Sequence, residues 1–158
     1  MQIERTTDAG FVRAVLTDPK VWPLVSDDYS MPPANFDFSL AVLNPEAFFL
    51  IPVRADGQRL GLFYFYANNN TTYQMHAALS QRGGGVWACR AAIAWMFENT
   101  RAQKIINLVV TNRPRLYRMV LAAGLELEGL NKGSLMRGGK LLDQWWMGVG
   151  KERFGHGN

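Results

Sequence analysis

The chain has 158 residues, 48% of them hydrophobic and 19% charged, with a single cysteine and a formal net charge of +4. That length buries a full core without staples, one cysteine excludes a disulfide framework and a multi-cysteine zinc site, and no apolar run approaches the span of about 18 residues that a membrane helix takes. The basic balance suits an anionic ligand, yet the arginines are scattered and no helix-turn-helix or zinc signature accompanies them, so neither nucleic acid nor a membrane is expected as partner.

No internal repeat, low-complexity tract or linker interrupts the sequence, which predicts one domain over residues 1–158. A short strand is expected near Ile3. Phe11, Val12, Val15 and Leu16 recur at helical spacing, predicting a helix from Asp8 to Leu16 with Asp8 as its N-cap. Pro23, Pro32, Pro33 and Pro45 leave Lys20 to Pro45 irregular, apart from a short helix near Trp22 to Val25. Phe48 to Val53 and Leu60 to Tyr66 are β-branched and aromatic runs, and the Asp56-Gly57 between them marks a hairpin. Asn68-Asn69-Asn70 then turns the chain into a third strand, Thr72 to Leu79.

Next comes Gln81-Arg82-Gly83-Gly84-Gly85-Val86-Trp87, followed by a helix from Val86 to Arg101. Val86, Cys89, Ile93, Met96 and Phe97 share one face of that helix, so Cys89 reads as a core thiol. A loop with so little side chain turns its backbone N–H groups toward a phosphate, and the helix start adds its positive end. Lys104 to Thr111 is a nearly unbroken apolar run of the kind found in strands buried on both faces and is expected to run parallel to the third strand. Pro114 opens a further helix and Gly124 ends it. Leu125 to Leu130 and Leu141 to Val149 predict two closing antiparallel strands, separated by a turn-rich stretch with Gly133, Gly138 and Gly139. His156 falls in a glycine-flanked tail. The class is α/β, of α+β type: a mixed central sheet with helices on both faces.

These motifs resemble those of the GNAT superfamily of acetyl-coenzyme A dependent N-acyltransferases, over essentially the whole chain. Arg82-Gly83-Gly84-Gly85-Val86-Trp87 is similar to the pyrophosphate loop Q/R-x-x-G-x-G/A, with Arg82 and Gly85 in matching places and Trp87 where a small residue is usual. Asn112, after a buried strand and before a helix ending Ala123-Gly124-Leu125, resembles the family's Asn-containing turn. Glu126-Leu127-Glu128-Gly129, Gly139-Lys140 and Asp143 resemble the tail of the ribosomal-protein-alanine acetyltransferase branch, and small bacteriophage-encoded members are similar too.

The resemblance implies a pair of parallel strands that splay, with acetyl-CoA in the opening. Main-chain groups around Ala77 and Leu79 would meet pantetheine, the amides of Arg82, Gly83, Gly84, Gly85, Val86 and Trp87 would cradle the pyrophosphate, and Asn112 would steady the pantetheine arm. Trp87 would narrow or tilt that pocket. The amine acceptor, on a protein or a small molecule, needs a proton acceptor and an oxyanion donor. His76 is the candidate base because histidine titrates near neutral pH. Tyr117 is the nearest match to the family's thiolate-protonating tyrosine, although it lies seven residues before Gly124 instead of four, and Ser134 is a candidate lining residue of the acceptor pocket. Trp145-Trp146 and Phe63-Tyr64-Phe65-Tyr66 put neighbours on opposite faces, which leaves a homodimer open. Two functions are carried forward: an N-acetyltransferase with direct transfer to an amine, in the cytoplasm of a bacterial or phage-infected cell, and a catalytically silent phage-type binding or virion-associated module of the same fold.

Overall fold

The computed structural model describes residues 1–155, so His156 lies outside the described residues. Seven strands are present: β1 Gln2–Arg5, β2 Ala47–Val53, β3 Gly61–Ala67, β4 Thr72–Leu79, β5 Lys104–Val110, β6 Glu126–Arg137 and β7 Lys140–Gly150. They form one sheet in the order β1-β2-β3-β4-β5-β7-β6, antiparallel throughout except between β4 and β5. Helices α1 (Ala9–Leu16), α2 (Trp22–Val25) and α3 (Phe38–Leu43) precede β2; α4 (Gly85–Asn99) follows β4 and α5 (Pro114–Ala122) follows β5.

Two cores form because successive strand residues point to opposite faces. Phe63, Phe65, Tyr73, Met75, Ile105 and Met147 pack on α4, where Ala88 and Ala92 are fully buried and let the helix lie close to the sheet. Leu62, Tyr64, Phe49, Ile51 and Ala78 pack instead on Val12 and Leu16 of α1 and on Phe38 and Val42 of α3. Val86 is only partly buried, so the inward stripe of α4 is Ala88, Cys89, Ala92, Ile93 and Met96 in place of one beginning at Val86. Cys89 is a buried core thiol as its sequence position implies, and desolvation pushes it up to about 12.

Two local expectations need correction. The proline-rich segment is more regular than its prolines imply, holding a 3-10 turn at Pro33–Asn35 and then α3. Asp37 caps α3 by accepting from the amides of Ser39 and Leu40 at 2.9 and 3.1 Å, a helix start that proline counting passes over. The stretch with Gly133, Gly138 and Gly139 is mostly strand: β6 runs to Arg137 through register shifts, and only Gly138-Gly139, with φ of 60° and 69°, turns the chain into β7. The run Lys104 to Val110 is interrupted by Asn107, which is buried but polar.

The parallel pair is incomplete. β4 and β5 share three register positions, Thr72 with Lys104, Tyr73 with Ile105 and Gln74 with Ile106, after which no pairing joins them. β4 continues against β3 to Leu79 and β5 against β7 to Val110, so the sheet forks into two halves beyond Gln74.

The β3–β4 pair that forms one wall of this fork depends on a close approach at Gly61. At φ of +132° it occupies a region that side chains rarely adopt, and a Cβ there would lie 2.3 Å from the carbonyl oxygen of Ala78 and 2.8 Å from the Cα of Leu79. Because both obstacles are backbone, Gly61→Ala is expected to destabilise the protein by on the order of 3 kcal/mol, read as a lowered urea midpoint. A loss below about 1 kcal/mol would show that β4 gives way more easily than its contacts imply.

Candidate active site

The fork opens into a cleft of about 850 Å³. Its walls come from β4 (Gln74, His76, Ala77, Leu79), β5 (Asn107, Leu108, Val110), the turn into α5 and its first residues (Asn112, Arg113, Arg115) and the α2 segment through Asp27. Ser134, Arg137 and Gln144 of the β6–β7 hairpin close the remaining side. The α2 segment and this hairpin are tied together. Asp28 accepts the amides of Gly138 and Gly139, both at 2.8 Å, and donates its own amide to Met136 at 3.0 Å. Arg137 Nε donates to the carbonyl of Ser26 at 3.1 Å. The two glycine amides, with Arg137 nearby, hold the Asp28 carboxyl below its usual range.

The glycine loop stands just past the end of the cleft, where Leu79 and Met119 border both. Gly83 and Gly84 have φ of 83° and 75°, which turns the backbone over into the start of α4. Among the described residues none of the N–H groups from Arg82 to Trp87 donates to a protein acceptor; the first amide of the helix that does is Ala88, to Gly84 at 2.8 Å. Six consecutive amides at a helix start are thus available to an anion. Trp87 is 70% exposed, and neither it nor Arg82, Gly83, Gly84, Gly85 and Val86 lines the cleft itself. Met119 of α5 borders the loop, with its Sδ 2.9 Å from where a Cβ on Gly85 would lie, a contact that no local pattern marks.

His76 lies directly across from Tyr64 in the β3–β4 register, and the two rings stack with centroids 4.7 Å apart and planes 6° from parallel. Gln74 Nε2 approaches His76 Nε2 at 3.2 Å, which fits an imidazole whose Nε2 accepts. Burial lowers the pKa of His76 to about 4. The expectation that it titrates near neutral pH is therefore overturned: it is a neutral, weakly basic ring on the cleft wall. Tyr117 is also displaced from its expected role, since its ring packs 4.2 Å from that of Trp145 and does not line the cleft. Ser134 does line it, with Oγ 3.0 Å from both Gln144 Oε1 and the carbonyl of Asn131, and Ala77, Leu79 and Asn112 line it as well.

Sequence reasoning missed Asn107, at the apex of the fork. Its side chain is 5% exposed, and Nδ2 donates to the carbonyl of Met75 at 2.7 Å, the first β4 carbonyl beyond the last parallel pair. Its Oδ1 is buried and has no hydrogen-bond partner among the described residues. The only signal available was one polar residue within an apolar run.

The architecture is shared with solved structures. Spermidine N-acetyltransferase from Vibrio cholerae, in complex with CoA and spermine, superposes with a TM-score of 0.78 at 13% identity, over 97% of this chain and 96% of that one. The fold is the GNAT fold. A chimera of the same spermidine N-acetyltransferase with hSSAT gives a TM-score of 0.79 at 12% identity, covering 98% of this chain and 99% of that one. No protein-family model matches the sequence, and no curated protein matches it. No helix among the described residues is long and apolar enough to cross a membrane, and no group of His, Cys, Asp and Glu there is placed to hold a metal ion.

The half-buried histidine sets a pH dependence of stability. Between pH about 4 and 6.5 the unfolded chain binds a proton at His76 that the native ring refuses, so stability rises with pH across that window and is lost as pH falls through it. Acidification from pH 7.5 to 5 is expected to cost the native protein about 2 kcal/mol more than it costs His76→Gln, read from urea unfolding of both. Equal losses in the two proteins would show that the fold leaves the basicity of the ring unchanged.

Proposed function

We propose that the chain, as a single domain over residues 1–158, is an acetyl-CoA dependent N-acetyltransferase that transfers an acetyl group directly to an amine. The observation that carries this reading is the juxtaposition of six unengaged amides, Arg82 to Trp87, with the open end of a forked parallel strand pair. The residues present fit the cosubstrate. The amides of Arg82 to Trp87, which have no protein acceptor, would take the diphosphate, the main chain at Ala77 and Leu79, beyond the last β4–β5 pair, would meet the pantetheine amides, and Asn112 at the cleft wall would steady the same arm. Acetyl-CoA would supply an acyl thioester as the activated donor.

On the acceptor side, His76 is the candidate base, acting as a neutral ring that takes a proton only from a strongly acidic donor, so the amine is best used when it arrives already deprotonated. Ser134 and Gln144 offer hydrogen bonds to the rest of the acceptor. Tyr117, held against Trp145, is not placed to pass a proton into the cleft. The Vibrio protein's complex contains spermine, a polycation. Here the charged lining is Asp27 against Arg113, Arg115 and Arg137, a balance that opposes a polycation and favours an amine whose remainder is neutral or anionic. The competing reading, a silent module with the same fold, is favoured by the weak basicity of His76 and by the packing of Tyr117 on Trp145 outside the cleft lining.

Calorimetric titration with CoA separates the two. Saturable binding is expected for the native protein and none for Gly85→Glu, whose carboxylate would stand among the amides that meet the diphosphate. The variant should keep its fold, because its Cβ meets the flexible end of Met119 and a glutamate in the first turn suits the helix dipole. Equal binding by both proteins would move the site away from the glycine loop, and no binding by either would favour the silent module.

A further inference from the structure

Two arginines on the cleft lining stand close together, and among the described residues neither has a counter-ion. Arg137, the last residue of β6, is half-buried. Its Nε and Nη2 are engaged by the α2 segment, both donating to the carbonyl of Ser26 and Nη2 also to that of Leu24. Its Nη1 keeps its donors. Arg113, the residue before α5, is half-buried on the same lining, and its side chain makes no hydrogen bond or ion pair among the described residues. The two charges are near enough that Arg113 disfavours the charged form of Arg137.

The neighbouring carboxylates are already engaged. Asp28 takes the amides of Gly138 and Gly139, and Asp27 Oδ1 takes the amide of Tyr29 and the hydroxyl of Ser30 at 3.0 and 2.9 Å. Like charges brought together under partial burial oppose folding, and an anion between them reverses the sign. The tie to the α2 segment explains where Arg137 is held. It leaves the second, unpaired arginine beside it unexplained.

We propose that Arg113 and Arg137 bind a carboxylate of the acceptor, so that the amine acylated here belongs to an amino-carboxylate. This rests on the acyltransfer reading above and narrows it. Arg137 belongs to the hairpin rim with Ser134 and Gln144, whereas the loop assigned to the diphosphate lies outside the lining, past Leu79 and Met119. A guanidinium fork matches the two oxygens of a carboxylate: Arg113 offers its full set of donors and Arg137 adds Nη1. A dianionic phosphate fits less well, because the charges of Asp27 and Asp28 reach Arg137 and repel two negative charges more than one. A polyamine would only add cations to a lining that already holds the exposed Arg115 as well.

The test pairs 4-aminobutanoate and 6-aminohexanoate with their carboxamides, which keep the chain length and the amine and lose the charge. CoA release from acetyl-CoA by the full chain is followed at pH 9. For at least one length the carboxylate is expected to exceed its carboxamide about tenfold in kcat/KM. Arg113→Gln, which breaks no side-chain contact seen in the protein, should abolish that advantage while its CoA affinity, measured by calorimetry, stays within about twofold of native. Equal use of carboxylate and carboxamide by the native protein overturns the proposal. So does an advantage that survives Arg113→Gln, or a loss of CoA affinity in that variant, which would assign Arg113 to the cosubstrate. A larger advantage for 3-aminopropylphosphonate would overturn the choice of carboxylate over phosphate. A binding measurement stands apart from turnover: the Nε–H resonances of Arg113 and Arg137 in the native chain should shift with either amino-carboxylate and not with the carboxamides, and immobile resonances refute the contact. Failure of the native protein to bind CoA would remove the acyltransfer reading, and the carboxylate site would then stand or fall on those resonances.

Discussion

The three-residue limit on the β4–β5 pairing governs the rest of the molecule. Parallel strands usually exchange hydrogen bonds along their length, and here the ladder ends at Gln74 and Ile106 although both strands continue. Each continues against an antiparallel partner on its far side, so neither half frays where they separate. The cleft, the unengaged main chain of β4 and the loop beyond it all exist because that ladder stops. Asn107 holds the stopping point by supplying the hydrogen bond that the backbone no longer makes.

The two faces of the fork have different chemistry for a structural reason. On the α4 side the strands present Tyr73, Met75, Ile105 and Val109 to a helix whose alanines bring it close, which makes that layer dry and rigid. On the other side Gln74, His76, Leu108 and Gln144 meet only the α2 segment and the β6–β7 hairpin, two short pieces held together by a carboxylate, two glycine amides and an arginine. The dry layer holds the fork in shape. The other is built from short pieces that can vary, as surface loops generally do.

Much of this was legible in the sequence. β4 has the predicted bounds Thr72 to Leu79, the glycine loop lies between it and α4, β5 is parallel to it, and α5 starts at Pro114. These follow from strong local signals: a β-branched run, three consecutive glycines, an alanine-rich helix and an N-terminal proline. What stayed hidden depended on partners distant in sequence. The stacking of His76 on Tyr64 and the burial that depresses its basicity are properties of the β3–β4 register. Tyr117 is withdrawn from the cleft by Trp145, 28 positions away, and Met119 reaches Gly85 only because α5 packs beside α4. Asn107 looked like an interruption in an apolar strand, and no local rule says that its strand loses its partner at that residue. Even α3 was hidden by counting prolines instead of reading the Asp37 cap.

The tie between Asp28 and the Gly138-Gly139 turn makes one inheritable unit of two segments that are 110 positions apart. The turn needs glycine at both places for its left-handed backbone, and the aspartate needs the amides that this backbone exposes. Grafting the hairpin alone from a relative would strand the carboxylate, and grafting the α2 segment alone would strand the amides. A chimera that swaps both pieces together is the one that keeps the carboxylate and the two amides matched.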